Sequence, residues 1–356
     1  MAYTDIDDPS AYFQATTYTG GGANTEVTNG GNSDLKPDFL WIKNRTAGYA
    51  HFVVDSSRNI SYAQNSSNAP YLETDSTAVE NNNQNWMQSV NTDGFTTGIA
   101  EHTNCNSGSA YVAWQWKANG GTTATNTDGA INSTVQVNAD AGFSILTYTM
   151  GSGNETVGHG LGVKPDIVIT KARQRGDANG FWSVYTTLID GSLDYLRLND
   201  TNAKADSSLA APTTTVFTGA GSGTVAYRSF VAYCFASKQG YSKFGKYVGN
   251  GNANGAFVYT GFKPAFVMCK NATTAGDNWE IRDNKRNDFN PQGKALYSNL
   301  DGAEYNATAI ATDSLSNGFK VRATDGGLNA STKNYIFMAF AEHPFTTSTG
   351  VPTTAR

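Results

Sequence analysis

One stretch decides the fold of this chain, Lys36-Pro37-Asp38-Phe39-Leu40-Trp41-Ile42-Lys43. Its pattern returns as Lys164-Pro165-Asp166-Ile167-Val168-Ile169-Thr170-Lys171 and as Lys263-Pro264-Ala265-Phe266-Val267-Met268-Cys269-Lys270. Each copy has a proline that favours extended backbone, then four or five apolar or β-favouring residues, then a lysine. Such a run is typical of a strand that is buried on both faces. The chain is therefore predicted to be a threefold repeat built around these strands.

Three further marks recur around the repeated strand in a fixed order. A tyrosine followed by a Gly/Asn-rich turn precedes it, at Tyr18, Tyr148 and Tyr247. An aromatic residue followed two positions later by a β-branched one comes after it, in the pairs Phe52/Val54, Trp182/Val184 and Trp279/Ile281. Each copy ends in a dense apolar strand, at residues 111–116, 230–235 and 335–340. We expect the opening and closing strands of each copy to be neighbours in one sheet.

The repeats divide the chain into units of the commonest domain size, long enough for each to bury a core of its own. We therefore expect separate domains in series rather than a continuous stack. Candidate strands separated by turn signals favour an antiparallel sandwich or barrel in each unit. The predicted boundaries are 1–118 for the first repeat with an N-terminal arm, 119–139 for a linker and leading strand, 140–239 and 240–345 for the second and third repeats, and 346–356 for a flexible tail.

Composition excludes several classes of partner. The net charge is -5, and the 25 basic residues are spread along the chain, which argues against nucleic-acid binding. No apolar run is long enough to cross a membrane, and the polar start is unlike a signal peptide. The three cysteines have no spacing that suggests a disulfide framework or a zinc site. We expect a protein made in a cytoplasm, without membrane insertion.

The sequence offers no recognisable catalytic centre. Its glutamates stand singly, and its four histidines are scattered without metal-ligand or triad spacing. The chain is therefore predicted not to be an enzyme and to need no cofactor or metal. The turn Asn287-Asp288-Phe289-Asn290 and Asp93 could hold calcium through oxygen ligands, but turns satisfied by their own hydrogen bonds are the favoured interpretation.

Aromatic residues are the remaining candidates for binding. Most tryptophans lie on the repeated strands, where sister copies have other apolar residues, so we interpret them as core. The candidates for ligand or subunit contact lie where the copies diverge, in Asn-rich loops. They are Tyr49, Tyr71, Trp86, Tyr185 and Tyr305.

Several stretches together resemble structural proteins of tailed bacteriophages, notably marine and cyanobacterial ones. The resemblance covers nearly the whole chain and rests on residues 34–45, 111–117, 240–245 and 262–268. It implies three tandem antiparallel β-sandwiches of jelly-roll type, similar to concanavalin or laminin-G modules, and a place in tail fibres or other virion appendages. The family supplies no catalytic residues.

These observations lead to two main hypotheses. The first is a non-enzymatic virion surface protein in a tail fibre or similar appendage that contacts the host envelope, with glycan as the candidate receptor. The alternative is a capsid decoration or collar protein that binds only other virion subunits, and a polysaccharide-degrading enzyme is the minor alternative. Expected partners are other virion subunits, a host glycan or receptor, and further copies of the chain, with a trimer favoured.

Overall fold

We describe a computed structural model of the chain, covering residues 3–58, 70–81, 86–98, 104–174, 180–221, 228–287 and 289–353. The predicted all-β class is confirmed. Every paired strand is antiparallel to its neighbours, and no α-helix occurs in the ranges just given. Short 3-10 turns lie at Pro9–Ala11, Ser56–Arg58 and Thr308–Ile310.

The strands fall into three groups, which we call units 1, 2 and 3. Unit 1 contains β1 (Phe13–Thr19), β2 (Glu26–Val27), β3 (Phe39–Asn44), β4 (Phe52–Asp55), β5 (Leu72–Glu73), β6 (Met87–Val90), β7 (Phe95–Thr97) and β8 (Ala110–Trp116). Unit 2 contains β9 (Ala124–Asn126), β10 (Ser133–Asn138), β11 (Phe143–Met150), β12 (Glu155–Gly158), β13 (Ile167–Ala172), β14 (Trp182–Thr186), β15 (Asp194–Arg197), β16 (Ala205–Asp206), β17 (Val216–Gly219) and β18 (Arg228–Phe235). Unit 3 contains β19 (Ser242–Val248), β20 (Phe257–Tyr259), β21 (Phe262–Asn271), β22 (Glu280–Asp283), β23 (Lys294–Tyr297), β24 (Tyr305–Asn306), β25 (Thr312–Leu315), β26 (Gly318–Val321) and β27 (Asn334–Pro344).

Each unit has a larger sheet with the same strand order. The orders are β1-β8-β3-β4-β5, then β11-β18-β13-β14-β15-β16, then β19-β27-β21-β22-β23-β24. The closing strand lies between the opening strand and the repeated strand, so the predicted pairing of opening and closing strands is confirmed. Unit 2 adds β10 and β9 beside β11, and these two strands lie in the stretch predicted to be a linker and leading strand.

A smaller sheet covers one face of each larger sheet. These sheets are β2-β7-β6, β12-β17 and β20-β26-β25. A separate apolar cluster fills the space inside each unit, which gives it β-sandwich character. The tyrosine that opens each repeat stacks on the first aromatic residue of the closing strand, with ring centroids 5.0, 5.4 and 4.9 Å apart in units 1, 2 and 3.

The second face of every larger sheet is apolar as well, and the three faces share one core. Phe13 stacks on Phe340 across units 1 and 3, with centroids 5.1 Å apart. Phe39 of unit 1 meets Tyr233 of unit 2 at 4.5 Å. Phe235 of unit 2 meets Phe244 of unit 3 at 5.8 Å. The expectation of separate domains did not include this shared core, in which the second face of each larger sheet is buried by the other units.

The lysine that ends each repeated strand joins the units in a closed ring. Lys43 Nζ donates to the carbonyl of Asp301 at 2.9 Å, which links unit 1 to unit 3. Lys171 Nζ donates to the carbonyl of Thr77 at 3.1 Å, and the Nζ atom of Lys270 lies 3.4 Å from the carbonyl oxygen of Thr201. Unit 1 thus contacts unit 3, unit 3 contacts unit 2, and unit 2 contacts unit 1. This cyclic order is that of a head-to-tail trimer within one chain.

At the start of the strand next to each repeated strand, the ring N–H of a side chain also bonds to a carbonyl of another unit, in the same cyclic order. Trp182 Nε1 donates to the carbonyl of Glu73 at 2.7 Å, and Trp279 Nε1 donates to the carbonyl of Arg197 at 2.8 Å. In unit 1 the corresponding atom is His51 Nε2, which lies 2.9 Å from the carbonyl oxygen of Tyr297. Because Trp41 Nε1 donates to His51 Nδ1 at 2.8 Å, His51 Nε2 carries the proton and donates.

This pattern corrects the predicted alignment of the repeats. Phe52 pairs with Ile42, whereas Trp182 pairs with Lys171, so the counterpart of Trp182 is His51 and not Phe52. A shift of one residue moves a side chain to the other face of the sheet, and Phe52 accordingly lies in the inner cluster of unit 1. Trp41 compensates for the smaller His51 ring, since units 2 and 3 have Ile169 and Met268 at its position.

The N-terminal arm from residue 3 and the C-terminal stretch up to residue 353 pack beside unit 3. Ile6 belongs to the shared core, and Thr4 Oγ1 donates to the carbonyl of Gln239 at 2.7 Å. Residues 346–353, in the stretch predicted to be a flexible tail, fold back on the N-terminal arm. The backbone N–H of Ser348 donates to Asp7 Oδ1 at 2.6 Å. The arm and the tail therefore lie together beside the junction of units 1 and 3.

The shared core predicts that the three units unfold together. Phe340 contacts Phe13 and Trp116 of unit 1 and Phe235 of unit 2. We expect Phe340→Ala to lower the free energy of unfolding by about 3–5 kcal/mol and to leave one calorimetric transition at a lower temperature. The exposed Thr125→Ala variant should match the wild type. Separate transitions, with only one of them shifted, would contradict a common core.

The three buried lysines predict a pH dependence of stability. Burial lowers the pKa of Lys43, Lys171 and Lys270 to about 8. Above pH 8 the unfolded chain binds more protons than the folded chain at these sites, so their unfavourable charge burial is relieved as pH rises. Between pH 7.5 and 9.5, the stability of the wild type relative to Lys171→Met should increase by about 1–2 kcal/mol.

Denaturant titrations of both proteins at the two pH values measure this difference, and tyrosine ionisation cancels because it affects both proteins alike. Lys243 is exposed, so Lys243→Met serves as the control and should show no such change. An identical pH dependence of the wild type and Lys171→Met would refute the lowered pKa.

Candidate functional site

Two of the five predicted contact residues lie together in unit 1. The rings of Tyr71 and Trp86 are 4.5 Å apart, and both stack on Phe52. Tyr71 is buried and belongs to the inner cluster, while Trp86 packs at its edge and is half-buried. These contacts make the pair part of the packing of unit 1.

The other three predicted residues are more accessible. Tyr305 on β24 is 51% exposed. The half-buried Tyr49 lies in a loop of unit 1 that reaches the same region, because Arg45 pairs with Glu304 at 2.9 Å. Tyr185 is half-buried against Tyr195 in unit 2, with centroids 6.2 Å apart. The structure therefore brings Tyr49 and Tyr305 to one junction and leaves Tyr185 on a different unit.

The most distinctive aromatic surface was not predicted. Phe257 and Tyr259 alternate with the buried Val258 on β20 and are 47% and 54% exposed. We call these two residues, with Tyr3 and Lys320, the aromatic patch. Both rings point away from the inner cluster of unit 3, on the outer face of its smaller sheet. The signal in the sequence was the alternation Phe-Val-Tyr, which marks a half-buried strand with aromatic residues on its outer side.

The aromatic patch is specific to unit 3. Val258 pairs with Phe319 just as Val27 pairs with Phe95 and Val157 with Phe217, which aligns the three smaller sheets. At the positions of Phe257 and Tyr259, the other units carry different residues. These are Glu26 and Thr28 in unit 1, and Thr156 and Gly158 in unit 2.

Neighbouring residues fix the patch and leave its rings uncovered. Phe257 pairs across the strands with Lys320 and lies beside Gly318, where an added Cβ would be 3.2 Å from the Phe257 ring. The hydroxyl groups of Tyr259 and Tyr3 are 3.2 Å apart, and the Tyr3 hydroxyl donates to the carbonyl of Gly261 at 2.7 Å. Burial raises the pKa of Tyr3 above its usual value, so this phenol is neutral at physiological pH.

Comparison with known families gives one match. Residues 8–344 match a family described as a domain of unknown function, DUF7483. The chain belongs to the DUF7483 family. The match spans all three units, in agreement with their shared core. No curated protein and no solved structure is significantly similar to the chain.

One group of carboxylates in this DUF7483 chain has the spacing of a cation site. Among the described residues, Asp190, Asp194 and Asp206 have oxygen atoms within 4.8 Å of one another. The Lys204 ammonium lies between them, with Nζ at 2.7 Å from Asp190 and Asp194 and at 2.8 Å from Asp206. The three carboxylates thus already bind a cation supplied by the chain.

The turns considered for calcium are held by the chain itself. Asp93 Oδ1 accepts from the backbone N–H of Leu35 at 3.1 Å, and Asn287 Oδ1 accepts from that of Lys294 at 2.9 Å. Asn290 Nδ2 donates to the carbonyl of Ser314 at 2.8 Å. Asp288 lies outside the described residues.

One carboxyl group has a strongly raised pKa. Burial raises the pKa of Glu280 to about 7, although Arg282 lies 2.8 Å away and opposes the shift. Both side chains are 3% exposed. The acidic residue that faces them, Asp325, also has a raised pKa because of burial. The raised pKa of Glu280 therefore follows from its packing inside unit 3.

No helix among the described residues is long and apolar enough to span a membrane.

Proposed function

We propose that this DUF7483 chain is a non-enzymatic virion surface protein, located in a tail fibre or similar appendage, that contacts glycans of the host envelope. Its three units are proposed to be tandem jelly-roll sandwiches of the concanavalin or laminin-G type. The aromatic patch on unit 3 is the observation that carries the proposal. Exposed aromatic residues that lie together on the face of a β-sheet mark binding sites more often than other parts of a protein surface do.

The chemistry of the patch suits a neutral sugar. One face of a pyranose ring presents C–H groups, which pack against the flat faces of Phe257 and Tyr259. The phenol groups of Tyr259 and Tyr3 and the Lys320 ammonium provide hydrogen bonds for sugar hydroxyls around those rings. Two adjacent rings on one strand present a small, flat area, whereas a stable protein interface needs about 800 Å² on each partner.

The scaffold suits a role in adhesion. The patch lies on a sheet whose other side is fixed by Val258 and Phe319 in the inner cluster, and the unit itself is fixed by the shared core. A rigid platform lowers the entropy cost of binding. The low net charge of the chain limits non-specific adhesion to charged surfaces.

A second candidate function is that of a capsid decoration or collar protein that binds only virion subunits. Exposed apolar residues elsewhere on unit 3 favour it. Phe289 is 79% exposed, Tyr305 51% and Leu300 41%. Tyr305 and Leu300 flank Asp301 and Glu304, which contact unit 1, so a subunit bound there would cover the junction of units 1 and 3.

Variants of the aromatic patch test the glycan-binding proposal. The purified protein should bind host envelope polysaccharide and compete with phage adsorption. Combined Phe257→Ala and Tyr259→Ala substitutions should weaken this binding about 5- to 30-fold, because two stacking rings worth about 1–2 kcal/mol are lost. Binding is measured by titration of the polysaccharide on immobilised protein.

The matched control is Thr156→Ala, which alters the position in unit 2 that corresponds to Phe257 and should bind like the wild type. Equal binding by the double variant would exclude the patch as the site. Antibody label over the head of intact virions, with no binding to polysaccharide, would instead support the decoration protein.

A further inference from the structure

A cavity of about 140 Å³ lies between unit 1 and unit 3. Strand β1 and the loop at residues 30–32 form one side, and unit 3 forms the other. Its lining includes Phe13, Gln14, Ala15, Ala265, Asn284 and Ala341. One water molecule needs about 10–15 Å³ by a comparable measure, so the cavity has room for a larger chemical group.

The corresponding place at the junction of units 1 and 2 is filled by a side chain. Gln136 on β10 is buried there. Its Nε2 donates to Ser56 Oγ at 2.6 Å and to Ser57 Oγ at 2.7 Å. Its Oε1 accepts from the backbone N–H groups of Asn119 and Gly121, both at 3.2 Å. A carboxamide, which donates and accepts side by side, therefore bridges units 1 and 2.

The repeat places the cavity at the position of this carboxamide. The motif Asp55-Ser56-Ser57-Arg58 recurs as Asp283-Asn284-Lys285-Arg286, with the same ion pair between its first and last residues, so Asn284 is the counterpart of Ser56. Ala15 is the counterpart of Ile145, the residue that pairs with Gln136. Since β1 has only β8 as a neighbour among the described strands, no counterpart of Gln136 fills this place.

At the cavity, the carboxamide of Asn284 is not fully paired within the described part of the chain. Asn284 is 4% exposed, and its buried Oδ1 has no hydrogen-bond partner among the described residues. A buried polar atom without a partner destabilises the folded state. Around Asn284, Phe13 and three alanines provide a small apolar surface.

We propose that this cavity binds the acetamido group of an N-acetylated sugar. An acetamido group places an N–H donor, a carbonyl acceptor and a methyl group within one small unit. Its N–H or its carbonyl oxygen would pair with the Asn284 carboxamide, and its methyl group would pack on Ala15, Ala265 and Ala341. The exposed Lys285 and His343, which also line the cavity, are positioned for the sugar hydroxyls. The proposal rests on the proposed contact with envelope glycans and names a sugar class for a second site on the same protein.

The proposal is tested by titrating the full chain with methyl N-acetylglucosaminide and with methyl glucoside. Binding is measured by saturation-transfer NMR and by calorimetry. The N-acetylated glycoside should bind at least tenfold more tightly than the glucoside. Asn284→Ala should reduce its affinity about tenfold, which corresponds to about 1.4 kcal/mol. Ser56→Ala, the matched change at the other junction, should leave its affinity unchanged.

A second variant tests the site without altering Asn284. Gly30 lines the cavity, and an added Cβ there would meet no atom within 4 Å, so the larger side chain of Gly30→Leu starts in open space and should block binding. Thermal unfolding of each variant verifies its fold. Equal binding by the wild type and Asn284→Ala, or no saturable binding of the N-acetylated glycoside, would overturn the proposal.

The experiment separates this proposal from the proposed function. If envelope polysaccharide binds through Phe257 and Tyr259 but the N-acetylated glycoside does not bind, only the cavity assignment fails. If the glycoside binds and Asn284→Ala weakens this binding about tenfold while the protein does not adsorb to the envelope, the cavity assignment stands and the proposed function fails.

Discussion

The structure depends on the burial of both faces of each larger sheet. One face packs inside its own unit, and the other packs against the two remaining units, so no unit can keep its second face from water alone. The closed cyclic order of the contacts follows from this constraint, because three equivalent apolar faces are all covered only when they meet around one centre. The buried Lys43, Lys171 and Lys270 set the orientation, since each ammonium group needs carbonyl partners and finds one across a junction.

The polar groups within the shared core occur as matched sets. Tyr233 of unit 2 donates to Asp55 of unit 1 at 2.6 Å, and Trp114 of unit 1 donates to Asp283 of unit 3 at 3.0 Å. At the junction of units 2 and 3, Thr186 takes the place of the aspartate. The strand register puts Met338 in the place of the donor, and its side chain has no N–H or O–H group. The arginine that pairs with each aspartate is replaced in unit 2 by a buried isoleucine. Donor and acceptor have thus been lost together, as expected when a lone buried polar group is costly.

The sequence predicted the repeat, the buried strand of each copy and the neighbouring strands, because these features depend on local periodicity. It assigned the wrong counterpart of Trp182 in unit 1. His51 and Phe52 are both compatible with a strand, and only the register decides which of them faces the shared core. It also missed the shared core, since an apolar run has the same composition whether its second face meets a helix, a sheet or another unit. The candidate site was missed because the search for contact residues followed the divergence between the copies, which is greatest in loops. The exposed Phe257 and Tyr259 lie on a strand.

The two surfaces proposed to bind sugars lie where the threefold repeat is broken. Unit 3 alone carries aromatic residues on the outer side of its smaller sheet. The junction of units 1 and 2 is closed by Gln136, whereas the junction of units 1 and 3 keeps a cavity and a buried acceptor at Asn284. Both departures involve unit 3, the first on the outer side of its smaller sheet and the second at its junction with unit 1, and they are the two places at which sugar contact is proposed.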